Sequence, residues 1–122
     1  MREANLKTPT RGQIERTLSQ RFQKLYREHL DHATGKVSCQ LFKDKLVIII
    51  ENALTQPEQL LLQKKNDKQL VEQVRSDLDD AIRPRMISLV EEILDRQVAD
   101  LISDTTLDTG RSGVIVILSA EV

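Results

Sequence analysis

Three arginines, Arg75, Arg83 and Arg85, are the side chains whose type and spacing come nearest to a binding site in this sequence. A guanidinium presents a planar fork of donors that suits carboxylate, bicarbonate or phosphate. Arg75 stands one position past Val74, at the edge of an apolar stripe. It could face a ligand there, or pair with Asp79 one helical turn on. Asp104 and Thr105, in a run of strand-forming residues, add an acid and a hydroxyl that could face a pocket or mark a solvent-facing edge. Other groups read as structural. His29 and His32 lie three apart with no further Cys or His near them, and a zinc site needs three or four ligands, so no metal site is expected. Asp77, Asp79 and Asp80 point in different directions on a helix and read as a solvated face. The single cysteine, Cys39, excludes an internal disulfide and reads as a small apolar group. No Ser–His–Asp order, glycine-rich phosphate loop or paired-cysteine motif is present, and no cofactor is expected.

The element that must position the arginines is the stretch from Asn66 to Arg96. Its apolar residues, Leu70, Val71, Val74, Leu78, Ala81, Ile82, Met86, Leu89, Val90, Ile93 and Leu94, recur at steps of three and four, the period of a helix with one buried side. Pro84 falls in mid-pattern without changing its phase, which predicts one kinked helix. Asn66 or Asp67 caps it, and Glu92 precedes Arg96 by four residues, a favourable spacing for an ion pair. Just upstream, Thr55 and Glu58 flank Pro57 in the pattern of a capping box. They predict a short helix through Leu60, Leu61 and Leu62 that ends near Lys65, and Thr55 as its N-cap is worth about 1 kcal/mol.

The rest alternates between helix and strand. Residues 1–9 lack periodicity and read as a flexible N-terminal arm to a single domain over residues 10–122. Thr10 and Gln13 can cap a helix running to Leu30 with Ile14, Leu18, Phe22, Leu25 and His29 on one face. Val37–Phe42 alternates like a half-buried strand, Lys43-Asp44-Lys45 is a turn, and Leu46–Ile50 is apolar on both faces. Val98–Leu107 and Val114–Leu118 form a second strand pair around Asp108–Gly113. The expected fold is therefore α+β: a four-stranded, largely antiparallel sheet from two hairpins, with a long kinked helix, a short helix and an N-terminal helix. Two strands with apolar faces on both sides call for cover on both sides. The long helix can supply one layer; the first helix or a second copy must supply the other, so a homodimer is expected.

Composition narrows the function classes. The hydrophobic share is 39% and the charged share 30%, as in ordinary globular proteins. With Phe22, Tyr26 and Phe42 the only aromatics, stacking platforms for single-stranded nucleic acid are nearly absent. Residues 1–30 hold seven basic and three acidic side chains, whereas residues 67–108 hold five and eleven. This asymmetry could steer a charged partner. Nucleic-acid binding through the basic first helix is the weakest of the readings it permits. The longest unbroken apolar run is too short to cross a bilayer and no secretory signal is visible, so a cytoplasmic protein is expected.

Several segments together carry a resemblance: Lys45-Leu46-Val47-Ile48-Ile49-Ile50, Leu54-Thr55-Gln56-Pro57-Glu58-Gln59-Leu60, Val74-Arg75, Glu91-Glu92-Ile93-Leu94, Val98, Asp104 and the apolar strand at Val114–Leu118. In this order they resemble the MpsC family over roughly Thr10 to Leu118. Where family members often carry Gly-x-Gly-Pro before the first strand, this chain has Gly35-Lys36-Val37-Ser38. The resemblance implies a small cytosolic accessory or regulatory module of a membrane ion or inorganic-carbon uptake system, at the cytosolic face of a transporter subunit and peripheral to the inner face of the membrane. The alternative is an enzyme acting on a small anionic substrate, with Arg75 as anion clamp and Asp104 as acid or base. A deep pocket joining Arg75 to Asp104 would favour that alternative.

Overall fold

Thr10 opens the first helix by satisfying two backbone donors at once. Its hydroxyl accepts from Gln13 N at 3.1 Å, and the Gln13 side chain accepts from Thr10 N at 2.8 Å. The computed structural model describes residues 8–64 and 67–122; residues 1–7 of the expected arm lie outside them. Helix α1 spans Arg11–Leu30 and ends at Asp31, whose left-handed backbone (φ 49°) turns the chain. Strands β1 (Val37–Phe42) and β2 (Lys45–Ile50) form the first hairpin. Helix α2 (Gln56–Lys64) follows. Helix α3 runs without interruption over Lys68–Leu94 with Pro84 inside it. Its cap is Asp67, which accepts from Leu70 N at 3.0 Å; Lys65 and Asn66 lie outside the described residues. Strands β3 (Val98–Thr106) and β4 (Arg111–Leu118) form the second hairpin.

The four strands make one antiparallel sheet in the order β1-β2-β4-β3. The hairpins meet along β2 and β4, where Leu46 pairs with Val116 and Ile48 with Val114. Both of these strands are central, as their aliphatic content predicts. One face of the sheet is buried: Val37, Leu41, Leu46, Ile48, Ile50, Leu101, Val114, Val116 and Leu118 join one core with residues of α1 and α3. From α1 this core takes Leu18, Phe22, Leu25 and Tyr26, and from α3 it takes Ile82, Met86, Leu89, Val90 and Leu94.

Of the two layers offered for the second face of the sheet, the first helix is excluded, and two further expectations are corrected. The first helix does not cover the second face of the sheet; it lies beside α3 on the same face. The outer face therefore carries Val47, Ile102 and Ile115 at 40%, 55% and 43% exposure, and β2 is central yet covered on one side only. His29 points to solvent, whereas His32 is buried and its Nε2 lies 2.8 Å from the Asn52 carbonyl. Glu92 pairs with Arg21 at 3.0 Å and not with Arg96, because tertiary packing brings the α1 arginine closer than the next helical turn, which has already ended at Leu94. Arg96 instead donates to the Glu121 carbonyl.

This layout separates residues that hold the fold from those that decorate it. Phe22→Ala removes a fully buried ring and should cost about 3–5 kcal/mol. Leu60→Ala, on a 53% exposed side chain, should change stability by less than about 0.5 kcal/mol. Urea midpoints of the two variants check this contrast.

Candidate functional site

The stripe that α3 buries runs through Val71, Arg75, Ile82, Met86, Leu89 and Val90. Leu70 is 42% exposed and Val74 only partly buried. An arginine therefore occupies a place in the helical repeat that belongs to the core, with 3% exposure. A charge in that position requires a partner of opposite sign and hydrogen bonds for its other donors.

Glu58, in the first turn of α2 and fully buried, is that partner. Arg75 Nε donates to Glu58 Oε2 at 2.9 Å and Nη2 donates to Oε1 at 2.5 Å, a two-pronged contact. Nη2 also donates to the Ala53 carbonyl at 2.9 Å, and Nη1 donates to Asp79 Oδ1 at 3.2 Å. Four of the five guanidinium donors are thereby engaged. The Glu58 carboxylate also accepts from Thr55 N at 2.9 Å and from the Thr55 hydroxyl at 2.8 Å. Glu58 thus reaches back to Thr55 across the start of α2 while it binds Arg75, so one carboxylate ties the helix start to the neighbouring helix.

Local backbone geometry brings these groups together. Asn52 has a left-handed backbone (φ 51°) just after β2. Ala53 N then donates to the Gly110 carbonyl at 2.7 Å in the β3–β4 turn, which leaves the Ala53 carbonyl to Arg75. Gly110 itself has φ 71°, a backbone region that favours glycine. From α1, Tyr26 is buried beside this cluster, close enough to Arg75 and to Ser112 on β4 for both to lower the pKa of its phenol. Ser112 in turn shares a short hydrogen bond with Thr105 on β3. The polar cluster thus links all three helices to the second hairpin.

Electrostatics follow from burial. Burial opposes the Arg75 charge, yet the hydrogen bonds and charge of Glu58, with Tyr26 and Asp79, hold its pKa above the ordinary value. Burial pushes the Tyr26 phenol up against the opposing pull of Arg75. Burial also raises the Asp79 carboxyl, more than Arg75 lowers it. Burial shifts the Cys39 thiol upward as well, although the side chain is only half-buried.

Beside this cluster, between α3 and β3, lies a cavity of about 240 Å³ that Arg75, Asp79, Arg83, Asp104 and Thr105 help to line. Four of the five candidate ligand-binding residues therefore meet at one place. Arg83 lies 3.9 Å from Asp100, a long ion pair, and Asp104 Oδ1 accepts from Thr105 N at 2.9 Å. Arg85 lies elsewhere, in a shallow groove between α1 and α3 near Arg21 and Glu92. The cavity is acidic in balance, since Glu72, Asp79, Asp80 and Asp104 all line it. With Arg75 already bound by two carboxylates, a small anion entering here would meet Arg83 as the cation with donors to offer. Among the described residues, no group of three or more His, Cys, Asp or Glu is placed to hold a metal ion.

The link from Glu58 to Arg75 escapes a reading by local spacing, because the two stand on different helices. One signal for it was present. Arg75 follows Val71 by four and precedes Ile82 by seven, in phase with the residues that are buried.

Arg75→Ala strands the Glu58 carboxylate in the core and should cost about 3–5 kcal/mol. The double change Glu58→Leu with Arg75→Met should recover most of that loss, and urea unfolding of both variants and the parent tests it. Asp79 gives a pH prediction of opposite sign. Its folded pKa is raised, so its charge costs stability above that pKa, and the cost vanishes as pH falls below the ordinary value of 3.8. Asp79→Asn keeps an oxygen for Arg75. It should be more stable than the parent at neutral pH, with the difference closing in acid.

No curated protein and no solved structure matches the chain. One family model does, over residues 10–120, from the Thr10 cap past the end of β4. It therefore takes in all three helices and all four strands. The description attached to it is a Na+-translocating membrane potential-generating system. Among the described residues, no helix is long and apolar enough to cross a membrane. The chain belongs to the MpsC family.

Proposed function

We propose that the chain is a cytoplasmic accessory or regulatory module, homodimeric, that docks on the cytosolic face of a membrane subunit in an ion or inorganic-carbon uptake system. The observation that carries this reading is the family match over residues 10–120, whose description names a Na+-translocating system. Two features support it. The arginine best suited to bind an anion is held by Glu58, Asp79 and the Ala53 carbonyl, which fits a structural role. The outer sheet face presents aliphatic side chains to solvent, and such faces serve assembly.

The enzymatic reading has one observation in its favour, the cavity that joins Arg75 to Asp104 beside a carboxyl of raised pKa. Use of Arg75 as an anion clamp would require its two-pronged contact with Glu58 to break, at a cost of several kcal/mol. The accessory role needs no such rearrangement.

Deletion of the gene in its native cell should lower sodium-dependent build-up of membrane potential or labelled bicarbonate uptake, and re-expression should restore it. Asp104→Asn should restore it equally, since no chemistry at that carboxylate is required. Uptake and potential that do not change on deletion would overturn the reading. Turnover of bicarbonate or another small anion by the purified chain, abolished in the Asp104 variant, would replace it with the enzymatic one.

A further inference from the structure

The outer face of the sheet has a pattern that depends on strand order. Reading across β1, β2, β4 and β3, the pairing register aligns Gln40, Val47, Ile115 and Ile102 in one row. The next row holds Ser38, Ile49, Gly113 and Asp104. On the other side of the central row stand Phe42, Lys45, Ile117 and Asp100. Beyond the Gly113 row, Arg111 Nε contacts both oxygens of Glu51 at 2.9 and 3.0 Å. The aliphatic groups thus stand at the middle of the face. Lysines 43 and 45 lie at the β1–β2 end, and Asp100 and Asp104 lie along β3.

We infer that two copies of this chain pack outer face to outer face about a twofold axis that runs along the strands between β2 and β4. The inference deepens the homodimer proposed above, and rests on it, by assigning its surface. Such an axis exchanges β2 with β4 and β1 with β3 while it preserves the row. Val47 then meets the Ile115 position of the second copy, and Ile49 meets the position of Gly113, over which that copy's own Ile49 leans, its Cδ1 3.8 Å from where a Cβ would stand. Glu51 meets the position of Arg111, and Phe42, with Lys43 beside it in the β1–β2 turn, meets the position of Asp100. A twofold interface must be complementary to itself. This face offers matching aliphatic rows and the opposite charges of Glu51 and Arg111, and packed sheets lie close to aligned.

The expected dimer is weak. Four strands about 4.8 Å apart and about six residues long give a projected face of about 400 Å², small against the roughly 800 Å² per partner of standard interfaces. Concentration should therefore control its population.

Sedimentation velocity of the full chain tests the assignment, starting from the 14.0 kDa monomer. The parent should shift from monomer to dimer as concentration rises. Ile115→Lys should raise the dissociation constant by about 30-fold or more while leaving the circular dichroism spectrum unchanged, because that side chain is already 43% exposed. Glu51→Arg and Arg111→Glu should each weaken the dimer, and an equimolar mixture of the two should regain it as a heterodimer. A parent that stays monomeric at every concentration overturns the inference, as does a dimer that Ile115→Lys leaves intact or a mixture that fails to re-associate. A monomer that still supports sodium-dependent potential in cells would remove the dimer and leave the accessory role standing. If Ile115→Lys then abolishes that potential, the face belongs to a different partner and not to a second copy.

Discussion

An arginine and a glutamate, both withdrawn from water, set the condition that the helical layer has to meet. Either charge alone in that position would cost several kcal/mol. Together they are tolerable because the guanidinium also reaches the Ala53 carbonyl and Asp79, and the carboxylate also accepts from Thr55. Each of those contacts fixes a piece of backbone. The start of α2 must lie against the first half of α3, and the segment after β2 must turn its Ala53 carbonyl inward. The β3–β4 turn must offer the Gly110 carbonyl to Ala53 N. The net stabilisation from such a pair is small, because the cost of taking both charges out of water offsets most of their attraction.

Much of the fold could be read from periodicity and capping alone. The threes and fours of the long helix survive Pro84, the Thr10 box opens α1, and alternating or β-branched runs mark all four strands. What spacing could not supply was direction. Leu46–Ile50 and Val114–Leu118 are aliphatic on both faces, and nothing in their order tells which side the helices take. The candidate site was legible as a set of residue types. Arg75, Arg83, Asp104 and Thr105 do line one cavity, yet the partner that controls Arg75 stands seventeen positions away on another helix. Glu58 looks like an ordinary capping residue, and only its zero exposure reveals a second duty.

The one-sided cover has its own logic. Helices α1 and α3 lie side by side and share the inner face, so together they complete a two-layer fold. The second set of aliphatic side chains on β2 and β4 is then surplus to the monomer. Keeping valine and isoleucine there favours burial against another surface.

Strand order also sets the tempo of assembly. Each hairpin is local, closed by a turn of two to four residues, and can form by itself. The seam between β2 and β4 joins the first half of the chain to its end, so it closes late and after a large loss of chain entropy. Until then both hairpins carry an unpaired edge of matching register. At high concentration β2 of one nascent chain can find β4 of another before its own arrives. The product would be a strand-exchanged pair with a native-like sheet, and such exchange is a hazard built into any fold whose halves meet last.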